Sequence, residues 1–380
     1  MPPRRSESPN AHSKTMTTID GSDTNGTLNQ MPKESAVFSV GISDAIGPRR
    51  FMEDAHSFII DFAGVRGQGF FAVFDGHAGK HAAEWCGHHF HEFLLDALRQ
   101  YPQSSIPDVL NETFHDVDLS LSKQSEESGG KLHSGCTAVT AFLRIEDATG
   151  RQSFLESDPL ARIDSPVDAD VDSLGDSIAS SQKKKSSGNK IKHALKSITG
   201  GSGSSLGKQS RSPSPSTPKD YSRVHNAPTN ARRVLYCANA GDARGVLCRS
   251  GKAVRLTYDH KGSDKQEAKR ITDAGGFMMG GRVNGVLAVT RSLGDSSMKE
   301  FVVGSPYTTE TELCEDDEFV ILACDGLWDV IDDQTAVDRV REIEDAQLAS
   351  KNLLEYTDQK TSDNVTVLVV RFKKPVGDSS

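Results

Sequence analysis

Hydrophobic positions along this chain follow two spacings that alternate in blocks. Short apolar runs mark residues 37–42, 70–74, 135–143, 233–238, 245–248, 287–290, 319–324 and 365–372 as strands. The run at 70–74 is continuous, as expected of a strand buried on both faces. A helical period marks 81–98, 106–121, 264–274 and two segments between 334 and 357. The helices fall in pairs between runs of strands, which predicts an α+β layered fold rather than a repeating βαβ unit.

Composition divides the chain further. Residues 1–35 are rich in Ser, Thr, Asn, Pro and Gly without apolar periodicity, and are expected to be a disordered tail. The folded domain is expected over 36–373, with 374–380 as a short tail. Within it, 146–230 passes from an acidic stretch to a lysine-rich one (Lys183, Lys184, Lys185, Lys190, Lys192, Lys196) and then to Gly and Ser. That pattern predicts a disordered insertion between two strands that still pair as neighbours. Closure entropy permits this, because it grows by only about 0.6 kcal/mol per doubling of loop length.

The 380 residues allow one large domain or two ordinary ones. A formal charge of −9 argues against a nucleic-acid binder. The six cysteines have no metal-finger spacing and sit mostly in apolar runs, so reduced, buried thiols in an intracellular protein are expected. The N-terminus has no apolar stretch and no run of about 18 apolar residues occurs, so a soluble, unsecreted protein without a membrane partner is expected.

The chemistry is concentrated in four acidic clusters: Met52-Glu53-Asp54, Asp75-Gly76-His77, Asp325-Gly326-Leu327-Trp328-Asp329 and Asp363-Asn364. Taken singly, an Asp-Gly at a strand end reads first as a turn. Taken together at the edges of apolar runs, they offer hard oxygen ligands to a divalent ion such as Mg²⁺ or Mn²⁺. Two such ions roughly 3.5–4 Å apart can share a carboxylate and activate a water as nucleophile for phosphorus. Gly76 lets the backbone turn and aim its carbonyl at an ion.

The blocks RRFMEDAH, FAVFDGHAG, SGCTA, ANAGDAR, RVNGVLAVTRSLGD, LACDGLWDV and SDNVTV occur in one order from about residue 36 to 372. In these motifs the chain resembles the metal-dependent protein serine/threonine phosphatases of the protein phosphatase 2C (PP2C, PPM) family. It is most similar to small, single-domain fungal members that act as negative regulators of stress-activated MAP kinase pathways. The resemblance implies a four-layer αββα sandwich of two antiparallel sheets flanked by helix pairs. It implies that Asp75 bridges two Mg²⁺ or Mn²⁺ ions. Glu53 and the Gly76 carbonyl would complete one site, Asp325 and Asp363 the other, and Asp54 would act through bound water. Arg49 would bind the phosphoryl group, as a guanidinium fork can, and His77 would protonate the leaving oxygen. Asp242 and Asp329 match a third, weaker metal position together with Asp325. The family pattern has Ser where Ala243 stands, which leaves that position open. Asn364 would support Asp363, Thr137 and Asp295 would be structural, and His56 would steady a ligand carboxylate. His88, His89 and His91 read as polar helix surface.

The expected reaction is hydrolysis of phosphoserine and phosphothreonine by a hydroxide bridging the two ions, without a covalent phosphoenzyme. Expected partners are phosphoprotein substrates, with MAP kinases, their upstream kinases and an adaptor protein as candidates, and no nucleic acid. A monomer in cytoplasm and nucleus is expected. The flap between residues 264 and 281, with its four glycines, is a candidate substrate-contacting element. Ser212, Ser214 and Thr217, each followed by Pro, are candidate sites for a proline-directed kinase, and a passive linker is the alternative. The run from Lys183 to Lys192 resembles a nuclear-import patch, or is simply solvated charge. Two rivals are a non-catalytic binding module of the same fold, disfavoured by the intact ligand set, and a metal-dependent nuclease, disfavoured by the acidic charge.

Overall fold

Strand alternation sets the layers. The structure is a computed structural model that describes residues 14–17, 23–28, 37–156 and 224–373. One antiparallel sheet has the order β1 (Lys14–Thr17), β2 (Asp23–Leu28), β4 (Ala55–Ile60), β5 (Gly69–His77), β6 (Gly135–Glu146), β7 (Arg232–Ala240) and β13 (Tyr307–Glu312), with the short β12 (Leu293–Gly294) also on β6. The second has the order β3 (Phe38–Ala45), β15 (Val365–Phe372), β14 (Asp317–Ala323), β8 (Arg244–Arg249) and β9 (Lys252–Arg255). A separate hairpin pairs β10 (Met278–Met279) with β11 (Arg282–Val283).

Along β5, Phe70, Ala72 and Phe74 face the long helices α1 (His81–Gln100) and α2 (Ile106–Glu127), meeting Cys86, Phe90, Leu94 and Phe114. Phe71 and Val73 point the other way and meet Val320, Leu322, Leu368 and Val370 of the second sheet. The next residues along those strands, Phe319, Ile321, Val367 and Val369, pack on Val337, Val340, Ala349 and Leu353 of α6 (Asp333–Val340) and α7 (Ala346–Thr357). The αββα order follows directly from period-two alternation in strands buried on both faces. Phe90 stacks on Phe70 at 5.8 Å and meets Phe114 edge-on at 5.0 Å, tying three elements together. Each such fully buried ring stabilises the fold by about 1.5–3 kcal/mol.

The helices begin where the chain supplies oxygen caps. Ser105 accepts from the Asp108 amide, and Asp264 accepts from Gln266 and Glu267 at the start of α4 (Lys265–Asp273). Asp332 and Asp345 cap α6 and α7 in the same way. Among the described residues, no helix is long and apolar enough to cross a membrane.

Several expectations need correction. Within 1–35, Lys14–Thr17 and Asp23–Leu28 form a hairpin that joins β4 through Thr27 and Leu28; backbone pairing on an open edge needs no apolar period. The strands flanking the insertion do pair, from Ala138 with Ala240 to Glu146 with Arg232. The insertion is shorter at both ends than 146–230: Glu146 closes β6, α3 (Ser153–Glu156) follows, and His225 bridges Val65. Residues 157–223, with the lysine run and the Ser-Pro and Thr-Pro sites, lie outside the described residues. The strand expected at 287–290 is replaced by isolated bridges of Leu287 to Val283 and Val289 to Lys261. Cys314 is exposed, whereas the other five cysteines are buried.

Candidate metal centre

The acidic clusters meet because antiparallel pairing brings strand ends and strand starts to one edge. β5 ends in Asp75, Gly76 and His77, and its neighbour β4 starts at Ala55, opposite Phe74, so Glu53 and Asp54 arrive beside Asp75. β14 ends just before Asp325, which opens the single turn α5 (Asp325–Trp328). β15 begins at Val365 opposite Ala45, placing Asp363 at the same edge, and Asp242 lies in the turn from β7 to β8. Close backbone approach is required there. A Cβ on Gly76 would sit 2.2 Å from the Glu53 carbonyl oxygen, and one on Gly326 would sit 2.0 Å from that of Asn364.

Asn364 does more than support Asp363. It accepts from the Glu53 amide at 2.8 Å and donates to the carbonyls of Ile46 at 2.8 Å and Phe51 at 3.0 Å. The loop carrying Arg49, Glu53 and Asp54 is thereby clamped to the start of β15.

A cavity of about 350 Å³ opens at this edge, lined by Arg49, Glu53, Asp75, Gly76, His77, Asp242, Asp325 and Asp363, with Thr137 and Arg282 beside them. A larger cavity of about 790 Å³ lies elsewhere, between the α1–α2 turn and the end of β6. Its buried carboxylate, Glu146, is already paired with Arg144 and Arg232, so it presents no converging free ligands.

Oxygens of Asp75, Asp242 and Asp325 lie within 4.8 Å of one another, and Asp75 also belongs to a second group with Asp54 and Cys324. Asp75 is thus common to both. Burial, and then repulsion from Asp54, Asp325, Asp242 and Asp363, holds the Asp75 carboxyl well above its ordinary pKa. The same two causes push Asp325 up to about 8. Burial raises Asp54 to about 7 against the hydrogen bond that Thr366 donates to it. Oδ1 of Asp242 is buried without a hydrogen-bond partner among the described residues. Hard oxygen donors carrying uncompensated negative charge fit a divalent cation. Cys324 does not fit one: burial keeps its thiol protonated, and its sulfur takes the Thr366 amide at 3.1 Å.

Around this core, Glu53 accepts from the Gly79 amide at 2.7 Å. Arg49 reaches Asp363 at 2.6 Å and the Ser362 carbonyl at 3.2 Å, with half its side chain exposed. His77 Nε2 lies 2.7 Å from Asp295, whose carboxylate also accepts from Ser292 at 2.5 Å. Asp295 is therefore the partner of His77, 218 positions away in sequence and without a local signal. Thr137, directly across from Asp75 on β6, lines the cavity with its hydroxyl buried and without a partner among the described residues. His56 is buried in β4, where burial lowers its pKa to about 4. His91 corrects the reading of a polar helix surface: it is fully buried in α1, and burial lowers its pKa to about 3. Asp329 stands apart from the cluster, 58% exposed, with the Lys261 ammonium between it and Asp242. Ala243 is packed in the core between the sheets.

Against known families, the model described as "Protein phosphatase 2C" matches residues 38–149 and 168–365. The chain belongs to the protein phosphatase 2C family. It is 36% identical to Protein phosphatase 2C homolog 1 of Schizosaccharomyces pombe, over 92% of this chain and 78% of the relative. It is 39% identical to Protein phosphatase 2C homolog 1 of Saccharomyces cerevisiae, over 85% of this chain and 88% of the relative. The crystal structure of serine-threonine phosphatase 2C from Toxoplasma gondii shares the fold, with a TM-score of 0.61 at 18% identity, over 90% of this chain and 97% of that one. This protein phosphatase 2C is accordingly a metal-dependent hydrolase acting on phosphoserine and phosphothreonine, and its substrates are phosphoproteins.

Proposed function

We propose that the edge cavity holds two Mg²⁺ or Mn²⁺ ions and that hydrolysis proceeds by direct in-line attack of water on phosphorus. The observation that carries this reading is the convergence of Glu53, Asp75, Gly76, Asp325 and Asp363 on one cavity, with the Asp75 carboxylate central among the acidic oxygens. Glu53, Asp75 and the Gly76 carbonyl would hold one ion and Asp75, Asp325 and Asp363 the other, with Asp54 behind them. Bound there, such ions supply positive charge at the phosphoryl oxygens and lower the pKa of a water.

The chain's own residues then divide the remaining work. Arg49, at the cavity wall, binds phosphoryl oxygens through its fork and balances the charge that develops on them. His77 delivers a proton to the departing serine or threonine oxygen, while Asp295 fixes its ring. Cys324 is the cysteine nearest the site, and its protonated, buried thiol is unsuited to nucleophilic attack, which supports a path without a phosphoenzyme.

The physiological role we infer, from the likeness of the seven motif blocks to small fungal members of the family, is negative regulation of stress-activated MAP kinase signalling by a monomer in cytoplasm and nucleus, with an adaptor as a candidate partner. The test compares phosphoproteomes of a null strain and an Asp75→Asn strain, alongside phosphopeptide hydrolysis with Mg²⁺ or Mn²⁺ and with chelator. Shared hyperphosphorylated sites on stress-pathway kinases support the reading. Normal phosphorylation in the Asp75→Asn strain, or hydrolysis indifferent to chelator, overturns it.

A further inference from the structure

Lys261 stands at the outer edge of the carboxylate cluster. Its ammonium lies 3.5 Å from Oδ2 of Asp242 and 3.0 Å from Oδ1 of Asp329. The backbone there is held on both sides: Lys261 bridges Val289, its carbonyl accepts from the Asp264 amide at 2.9 Å, and the preceding His260 ring takes the Gly241 amide at 3.2 Å. The side chain is about one-third exposed. Burial works against the charged ammonium, but Asp242, Asp329 and Asp325 outweigh it and hold its pKa above the ordinary lysine value.

The carboxylates that resemble a third metal position therefore do not meet as free ligands, because a cation of the chain already lies between two of them. The position is nonetheless unfinished on its inner side. Oδ1 of Asp242, a residue only 6% exposed, has no hydrogen-bond partner among the described residues. A lysine in contact with one oxygen of a carboxylate whose other oxygen is unpaired leaves room for a competing ligand of higher charge.

We propose that Lys261 is a resident cation that competes with a third divalent ion for Asp242 and Asp329, so that such an ion enters only by displacing the ammonium. The inference goes beyond the two-ion reading and rests on it only for the inner pair. Third-ion binding is then weak by construction, because it must release an existing ion pair as well as shed water. Lys261 sets that affinity without touching the inner ligands Glu53, Asp75 and Asp363.

The test counts Mn²⁺ binding to the full-length, chelator-stripped protein by the free-ion paramagnetic resonance signal at fixed ionic strength. The wild type is expected to bind two ions tightly and a third much more weakly. In Lys261→Met, which keeps stem length and loses charge, the third ion tightens by at least about tenfold, while Lys261→Arg keeps it weak. Adding Asp329→Asn to Lys261→Met removes the gain. An unchanged or weaker third ion in Lys261→Met overturns the proposal, whereas absence of two tight ions in the wild type overturns the two-ion reading instead. A readout on the wild type is independent of whether the variants fold: acetylation of Lys261, followed by mass spectrometry, rises as Mg²⁺ passes from the two-ion to the three-ion range. Labelling indifferent to Mg²⁺ in that range refutes displacement.

Discussion

Asn364→Ala removes one buried side chain and tests whether the ligand loop depends on it. Asn364 is 4% exposed and makes three hydrogen bonds to backbone groups of the loop that carries Arg49, Glu53 and Asp54. Truncation leaves the Glu53 amide and the carbonyls of Ile46 and Phe51 without these partners. At about 0.5–1.5 kcal/mol net for each bond, the expected loss is about 1.5–4.5 kcal/mol, reduced where water enters to replace the amide. Urea unfolding should show a lower midpoint with an unchanged slope, because the same surface is exposed on unfolding.

The second consequence is functional. Glu53 is placed by two bonds, one that its amide donates to Asn364 and one that the Gly79 amide donates to its carboxylate. With the first gone, Mn²⁺ affinity should fall by about 10–100-fold, the usual cost of losing a group that orients a ligand. A loss of stability below about 0.5 kcal/mol together with unchanged Mn²⁺ affinity would refute the clamp. Lost stability with intact affinity would mean that Asn364 braces the fold and not the site.

Two further outcomes follow from the repulsion among the carboxylates. Asp75→Asn should raise the melting temperature of the chelator-treated protein at alkaline pH, because it replaces a carboxyl whose ionisation burial and its acidic neighbours oppose with an amide that never ionises, while phosphopeptide hydrolysis falls by more than about 100-fold. Asp54 and Asp325 carry protons in the folded, metal-free state that the unfolded chain has released above about pH 3.9. Stability measured in chelator should therefore decline as pH rises from about 3.9 and level off once both carboxyls have ionised, above about 8, and saturating Mn²⁺ should remove that slope. A metal-free protein equally stable at both ends of that range contradicts the assignment.

The layers were legible because both sheets keep strict alternation with both faces apolar, as in Phe70 to Phe74. β13 was illegible for the converse reason: Tyr307–Glu312 is polar and half-exposed, and it is a strand only because β7 offers it a partner. β4 was hidden by its own motif, since the residues around Glu53 and Asp54 drew attention to chemistry and away from the buried run Ala55–Ile60. In the site, the cavity brings together Arg49, Glu53, Asp75, Gly76, His77, Asp242, Asp325 and Asp363, and places Asp54 behind Asp75. Asp295 was legible only as a structural position of its motif and Lys261 not at all, because their meaning lies in what they face. Asp295 turns toward His77 with a positive φ of 49°, and Lys261 bridges two aspartates from separate loops.

The register of β6 explains how a chain can carry a long insertion without disturbing this geometry. β6 starts at Gly135 beside His77 and ends at Glu146 beside Arg232. At about 3.4 Å per residue, its far end lies roughly 37 Å along the strand from the catalytic edge. β6 therefore ends and β7 begins at the opposite rim, where Glu146 is locked by Arg144, Arg232 and Tyr236. Replacing residues 157–223 by a Gly-Ser linker of about ten residues shortens the loop by nearly three halvings, which should stabilise the protein by about 1.5–2 kcal/mol. It should leave kcat/KM on a short phosphopeptide within about twofold, because an undisturbed rim transmits no change to Asp75 or Asp325. Stopped hydrolysis of that peptide, in a protein that still melts cooperatively, would show that the insertion reaches the chemistry and that strand geometry alone does not insulate the site.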